Sequence, residues 1–110
     1  MDLSQTQRDV HKLAVDNGWW IDADMKIVPE KLALIHAEIS EALEEYRDGR
    51  METWYADGSA KPEGFGVELA DAIIRILDLC GYLGIDVGEL VELKHGYNRT
   101  RPFRHGGKLA

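Results

Sequence analysis

The segment from Val67 to Leu83 is the most apolar part of this 110-residue chain, and it restricts the folds that the remainder can adopt. Large apolar side chains cover more than half of its helical circumference: Ile73, Ile74, Ile76, Leu77, Leu79 and Cys80. A helix with this distribution is buried on several sides and needs several packing partners. Gly84 follows the segment and is a favoured residue for ending a helix. We therefore expect a central helix surrounded by others.

Three further stretches have helical periodicity, and strand patterning is weak throughout. They cover approximately residues 4–16, 29–47 and 87–97. Ser4 is a candidate cap of the first helix and Asp86 of the last, whereas Pro29 is a favoured first-turn residue. Residues 50–66 contain three glycines and a proline and predict a long loop. The sequence predicts an all-α fold, a helical bundle with a four-helix core, formed by one domain over residues 1–110.

The central helix has more apolar surface than the other predicted helices can cover, so we expect the protomer to form a homodimer or homotetramer. No apolar run approaches the roughly 18 residues needed to span a membrane. The N-terminal residues lack the basic-then-apolar pattern of a signal peptide. A single cysteine, Cys80, excludes an internal disulfide. These features predict a cytoplasmic protein without membrane partners.

Charge is distributed unevenly along the chain. All twenty acidic residues lie in positions 1–93, which carry a net charge of −12, whereas the basic C-terminal segment 94–110 has five basic residues and no acid. Binding to duplex DNA requires a broad basic face, which an acidic body does not provide. We therefore expect no nucleic acid polymer as a partner. The pattern suits a small anionic ligand instead.

Two acidic pairs occur on successive long helices, Glu38 with Glu41 and Glu68 with Asp71. At 100° per residue, the members of each pair lie about 60° apart, along one edge of an apolar face. If the two helices face one another, four carboxylates share a small volume, where each pair at 4 Å repels by roughly 4 kcal/mol. Such a cluster needs a cation, and an all-oxygen ligand set favours Mg²⁺ or Mn²⁺ over Zn²⁺. The alternative is that each pair belongs to a solvated helix face.

Three motifs in order resemble the signature of the all-α NTP pyrophosphatases, the MazG-like superfamily. They are Glu38-Ile-Ser-Glu41, then after 26 residues Glu68-Leu-Ala-Asp71, and finally Lys94-His-Gly-Tyr-Asn98-Arg99. Many members have paired glutamates at the start of the first motif, whereas this chain has Ala37 before Glu38. The resemblance implies Mg²⁺-dependent hydrolysis of a nucleoside or deoxynucleoside triphosphate to the monophosphate and pyrophosphate, with a house-cleaning role in the nucleotide pool. It also implies that the four carboxylates are the metal ligands and catalytic residues, with Glu41 our candidate to accept the proton of the attacking water.

Several other residues are candidate contacts to the triphosphate substrate. By the resemblance, Lys94 and Asn98 are the foremost phosphate ligands, followed by Arg99 and Arg101; the alternative is a basic helix end that stabilises the helix dipole. The remaining candidates are Trp19, Trp20 and Arg75. One of the two tryptophans is expected to stack on the base, unless both serve as core or lid aromatics. Arg75 either contacts phosphate or neutralises nearby aspartates.

Two other functions are compatible with the sequence. A non-catalytic helical dimer that binds nucleotides or a partner protein would keep the fold and the metal site but lack turnover. A di-iron carboxylate bundle requires two Glu-x-x-His motifs, and only Glu92-Leu-Lys-His95 has this spacing, so that a second copy would have to come from a dimer.

Overall fold

The structure is a computed structural model that describes residues 1–102. Arg104 and Lys108, which lie in a glycine-rich segment and which the sequence alone predicts to be surface charges, fall outside these residues. The elements are α1 (Leu3–Asp16), a 3-10 turn (Met25–Ile27), α2 (Val28–Arg47), α3 (Phe65–Leu83) and α4 (Val87–Arg99). Residues 1–102 contain no strand, so the prediction of an all-α fold is confirmed. No helix in this part of the chain has the length and apolar character to cross a membrane.

The central position of α3 follows from its apolar surface. It packs along α2 on one side and against α1 on another, and α4 packs against α1. The buried apolar side chains are Ala42 of α2 and Ala72, Leu77 and Leu79 of α3. Their position fixes the face that α2 and α3 turn toward each other, and with it the acidic pairs beside that face.

The N-terminus of α1 differs from the sequence-based prediction. Asp2, not Ser4, caps the helix, and its Oδ1 accepts a hydrogen bond from the backbone N–H of Gln5 at 3.1 Å. The Ser4 hydroxyl instead donates to Asp86 Oδ1 at 2.7 Å. Asp2 and Ser4 are both good capping residues. Ser4 does not cap α1 because its hydroxyl is used in the hydrogen bond that joins the starts of α1 and α4.

The turn between α3 and α4 is held by the side chain of Gln7, which is buried. Its Nε2 donates to the carbonyl of Ile85 at 2.7 Å, and its Oε1 accepts from the N–H of Val87 at 3.1 Å. Gly84 ends α3 with φ +69°, and the Asp86 side chain caps α4, both as predicted. These bonds attach α1 to the far end of α3.

The predicted loop over residues 50–66 is more ordered than expected. Trp54 and Glu63 form an antiparallel bridge with backbone hydrogen bonds of 2.8 and 2.9 Å. Gly64 has φ +128°, and a Cβ there would lie 2.5 Å from the carbonyl oxygen of Glu52. Because the bridge brings the chain back directly onto α3, this helix starts at Phe65, two residues earlier than predicted.

Large apolar side chains are exposed on both long helices. On α2 they include Ile39 and Leu43, one turn apart, and on α3 Ile73 and Ile76. Ile73 is 54% exposed although it belongs to the most apolar helix. The described part of the protomer thus leaves uncovered much of the surface that the sequence analysis expected to be buried.

Candidate metal centre and adjacent cleft

Three glutamates from the two long helices converge. Glu38 and Glu41 lie one turn apart on α2, and Glu68 lies on the first turns of α3. One carboxylate oxygen from each residue lies within 4.8 Å of the others. The packing of α2 against α3 brings the two predicted acidic motifs together.

Asp71, the fourth predicted ligand, lies one turn after Glu68 and is half-buried. Burial raises the pKa of Asp71, and the nearby charge of Glu38 raises it further. The positive charges of Arg75 and Lys61 act in the opposite direction. The charge of Asp71 therefore interacts with those of Glu38 and Glu68. Of the four predicted ligands, the three glutamates converge, whereas Asp71 is not in the group whose oxygens lie within 4.8 Å of one another.

Glu68 has the largest shift in this centre. Partial burial, a hydrogen bond with Glu38 and the charges of Glu41 and Asp71 raise the pKa of Glu68 from 4.5 to about 7. This raised pKa of Glu68 indicates that having all carboxylates of the cluster ionised together is unfavourable. A divalent cation would remove this repulsion, and oxygen donors alone fit Mg²⁺ or Mn²⁺.

Arg75 is the cation within the centre. Its Nε donates to Glu38 Oε1 at 2.8 Å, and the Glu38 side chain is only 13% exposed. The ion pair therefore involves Glu38 on α2 rather than one of the nearby aspartates of α3, which the sequence analysis considered as partners. Arg75 orients Glu38 and offsets part of the negative charge.

A cleft of about 440 Å³ begins at this centre and runs between α1 and the two long helices. Its lining residues are Val10, Leu13, Ala14, Asn17, Trp19, Lys31, Glu38, Asp71, Ile74, Arg75 and Asp78. Its volume is within the range of small-molecule sites. One end is acidic, and the α1 side is mainly apolar. Trp19, a predicted base-stacking residue, is 68% exposed and belongs to the wall.

Trp20, the second predicted stacking residue, has a different environment. Its indole Nε1 donates to Asp78 Oδ1 at 2.9 Å, and its ring stacks on Tyr82 with centroids 4.2 Å apart. His11 Nδ1 lies 2.7 Å from the same Asp78 oxygen. Trp20 does not line the cleft and serves to pack α1 and the following turn onto α3.

The cleft also contains two charged residues that sequence reasoning missed, Lys31 and Asp78. Asp78 lies on the same polar stripe of α3 as Asp71 and Arg75, so its helical spacing was an available signal. Lys31 lies in the first turn of α2 without a comparable sequence signal. Its Nζ is 4.6 Å from the centroid of the Trp20 ring.

The predicted phosphate ligands of the basic segment lie elsewhere in the protomer. Lys94, Asn98 and Arg99 are on α4, Arg101 follows it, and all four are exposed. The Lys94 Nζ lies 4.9 Å from the centroid of the Tyr97 ring. Because α4 packs against α1, none of the four lines the cleft of its own chain.

A di-iron ligand set receives no support from this arrangement. The converging group consists of glutamates, and Glu92 and His95 are exposed on α4.

Comparison with known proteins found no matching protein family, no matching curated protein and no matching solved structure. The function must therefore be inferred from the residues of the chain itself.

Proposed function

We propose that this protein is a Mg²⁺-dependent nucleoside triphosphate pyrophosphohydrolase of the MazG-like type, which cleaves an NTP or dNTP to the monophosphate and pyrophosphate. The observation that carries the proposal is the convergence of Glu38, Glu41 and Glu68, with Asp71 one turn away, beside a cleft of about 440 Å³ that Glu38 and Asp71 line. The order and spacing of the motifs that supply these residues add to it.

The residues of the centre have distinct roles in this proposal. Glu38, Glu41, Glu68 and Asp71 hold Mg²⁺, which when bound neutralises phosphate charge and lowers the pKa of a coordinated water. Glu41 is the most exposed of the glutamates and is our candidate to accept the proton of the attacking water. Arg75 keeps Glu38 in place through its Nε and lines the cleft, where its remaining N–H groups can contact phosphate oxygens.

A homodimer or homotetramer is part of the proposal. The exposed stripes on α2 and α3 supply apolar surface for pairing. Contacts of Lys94, Asn98, Arg99 and Arg101 with phosphate would then be made across the interface, since none of them lines the cleft of its own protomer.

A panel of NTPs and dNTPs, incubated with Mg²⁺ or with EDTA and scored for pyrophosphate and for phosphate, tests the activity. We expect Mg²⁺-dependent release of pyrophosphate. The neutral substitutions Glu38→Gln, Glu41→Gln, Glu68→Gln and Asp71→Asn should each remove most of it. Glu92→Gln, on the exposed surface of α4, is the matched control and should retain it.

Three results would count against this function. Wild-type turnover in any three of the four centre variants would mean that the carboxylates are not the site. Nucleotide binding without pyrophosphate release would favour the non-catalytic dimer. An optical band after aerobic loading with iron would favour a di-iron protein.

A further inference from the structure

Asp78 extends the polar stripe of α3 away from the metal centre and into the cleft. It lies seven residues after Asp71, a displacement of about 10 Å along a helix. That length is comparable to a nucleoside that extends from its α-phosphate to the far edge of its base. A nucleotide with phosphates at the carboxylate centre would therefore bring its base toward Asp78 if it lies along the cleft.

The Asp78 carboxylate is held so that one oxygen stays available to a ligand. The His11 Nδ1 contact of 2.7 Å and the Trp20 Nε1 bond of 2.9 Å both involve Oδ1. Within residues 1–102, no hydrogen bond to Oδ2 is present, and the side chain is 16% exposed. Because donors from α1 and from the following turn fix its orientation, Asp78 is a rigid acceptor on the cleft wall.

A donor lies close to this acceptor. The Lys31 ammonium is above the face of Trp20, whose edge binds Asp78, so that both charged groups are near the same indole. Lys31 also lines the cleft. Trp19 and the apolar side chains of Val10 and Ile74 form walls that suit a flat ring.

We propose that Asp78 selects the base, and that the preferred substrates are nucleoside triphosphates with an exocyclic amino group in the position it has in cytosine and adenine. This inference rests on the proposed function. Cytosine and adenine present an N–H₂ donor there, whereas uracil, thymine and hypoxanthine present a carbonyl oxygen. The amino group donates to Asp78 Oδ2, and Lys31 donates to an acceptor on the same base. A carbonyl base in the same position would place its oxygen against Asp78 Oδ2, and this contact would be repulsive instead of a hydrogen bond.

Two pairs of substrates test this contact, since dCTP differs from dUTP, and dATP from dITP, by the exchange of an amino group for a carbonyl, with the adjacent ring nitrogen changing from an acceptor to an N–H. We expect kcat/KM to favour the amino member of each pair by about tenfold or more, the range of a charge-assisted hydrogen bond. Equal rates, or a preference for dUTP and dITP, would overturn the inference. If no triphosphate is cleaved, the hydrolytic function fails, and calorimetric titration with α,β-methylene analogues of dCTP and dUTP in Mg²⁺ decides the inference separately. Tighter binding of the dCTP analogue would support it, and absence of binding or of preference would overturn it.

The substitution Asp78→Asn tests the residue itself. The indole N–H of Trp20 can only donate, so the new amide oxygen must face it and the NH₂ group must face the cleft. The dCTP to dUTP ratio should then fall at least tenfold, mainly through KM. Asp9→Asn, exposed on α1, is the control and should leave the ratio unchanged. A loss of stability or turnover that is equal for both substrates would mean that Asp78 is purely structural; if the variant does not fold, the wild-type ratios still decide.

Discussion

Replacing Glu68 by glutamine should stabilise the metal-free protein at pH 8, although it removes a proposed ligand. Partial burial, the hydrogen bond with Glu38 and the charges of Glu41 and Asp71 raise the pKa of Glu68 from 4.5 to about 7. The ionised carboxylate is therefore less favourable in the folded chain than in the unfolded chain. Without screening, such a shift corresponds to about 3 kcal/mol. Because the side chain is partly exposed, we expect about 1 kcal/mol after screening by solvent.

The pH dependence follows from the sign of this shift. Below pH 4.5 Glu68 is protonated in both states and the penalty is absent, whereas it develops as the pH rises from 4.5 through about 7. In EDTA, wild type and Glu68→Gln should therefore have nearly the same Tm at pH 4. At pH 8 the variant should melt about 4–8 °C higher, the shift that corresponds to about 1 kcal/mol in a domain of about this size.

Saturation with Mg²⁺ should reverse the order. An ion present at 100 times its Kd stabilises the folded state by about 2.7 kcal/mol. Since an amide is a poor ligand for Mg²⁺, the variant should gain less than wild type and become the less stable protein at pH 8. Calorimetry with and without Mg²⁺ measures both differences, and Glu92→Gln should follow wild type under every condition. A destabilised variant in EDTA would refute the repulsion argument, and wild-type stability that does not respond to Mg²⁺ would refute the metal site.

Three further predictions concern the fold, the assembly and the substrate contacts. Gly64→Ala should lower the free energy of unfolding by about 2 kcal/mol or more, because φ is +128° and the Cβ would meet a backbone carbonyl. Gly66→Ala, in open space on α3, should not lower the free energy of unfolding, and thermal melts compare the two variants. Ile73→Asp should leave the chain folded but reduce the mass of the assembly measured by sedimentation. An unchanged mass of the assembly would exclude this surface from the interface. Lys94→Ala should raise KM for the triphosphate in steady-state kinetics without affecting the Mg²⁺-dependent Tm in thermal melts. Lys108→Ala is the control and should change neither KM nor Tm.

The helices could be predicted from sequence because their signals are local and agree with one another. Apolar periodicity defines α2 and α3, Gly84 ends α3, and Asp86 caps α4 as expected. The predicted cap of α1 was wrong because Asp2 and Ser4 are similarly good caps by residue type. Only the tertiary hydrogen bond from Ser4 to Asp86 decides that Asp2 caps the helix. Local propensity does not contain that information.

The same distinction applies to the candidate site. Two consecutive helices that pack side by side bring their polar edges together, so the spacing of the acidic pairs predicted that their carboxylates would converge. Three of the four do so, Glu38, Glu41 and Glu68, and Asp71 is not in that group. The opposite side of the cleft depends on how α1 packs against α3. Helical spacing places Asp78 on one polar stripe with Asp71 and Arg75, but its contacts with His11 and Trp20 result from that packing. The position of Lys31 over the Trp20 ring also depends on it and follows from no spacing rule.

For the proposed nucleotide substrate, the distribution of charge along the cleft divides recognition into two parts. At the carboxylate end, Arg75 is the cation bonded to the cluster, and a triphosphate approaching without metal would meet net negative charge. Cation and phosphate therefore favour each other's binding there, and by linkage each raises the affinity for the other. At the other end, Trp19, Lys31 and Asp78 offer stacking and hydrogen bonds that involve no metal. In the proposed complex, recognition of the base is thus independent of Mg²⁺, whereas binding of the phosphates depends on it, and we expect a nucleoside lacking phosphates to retain the preference set by Asp78.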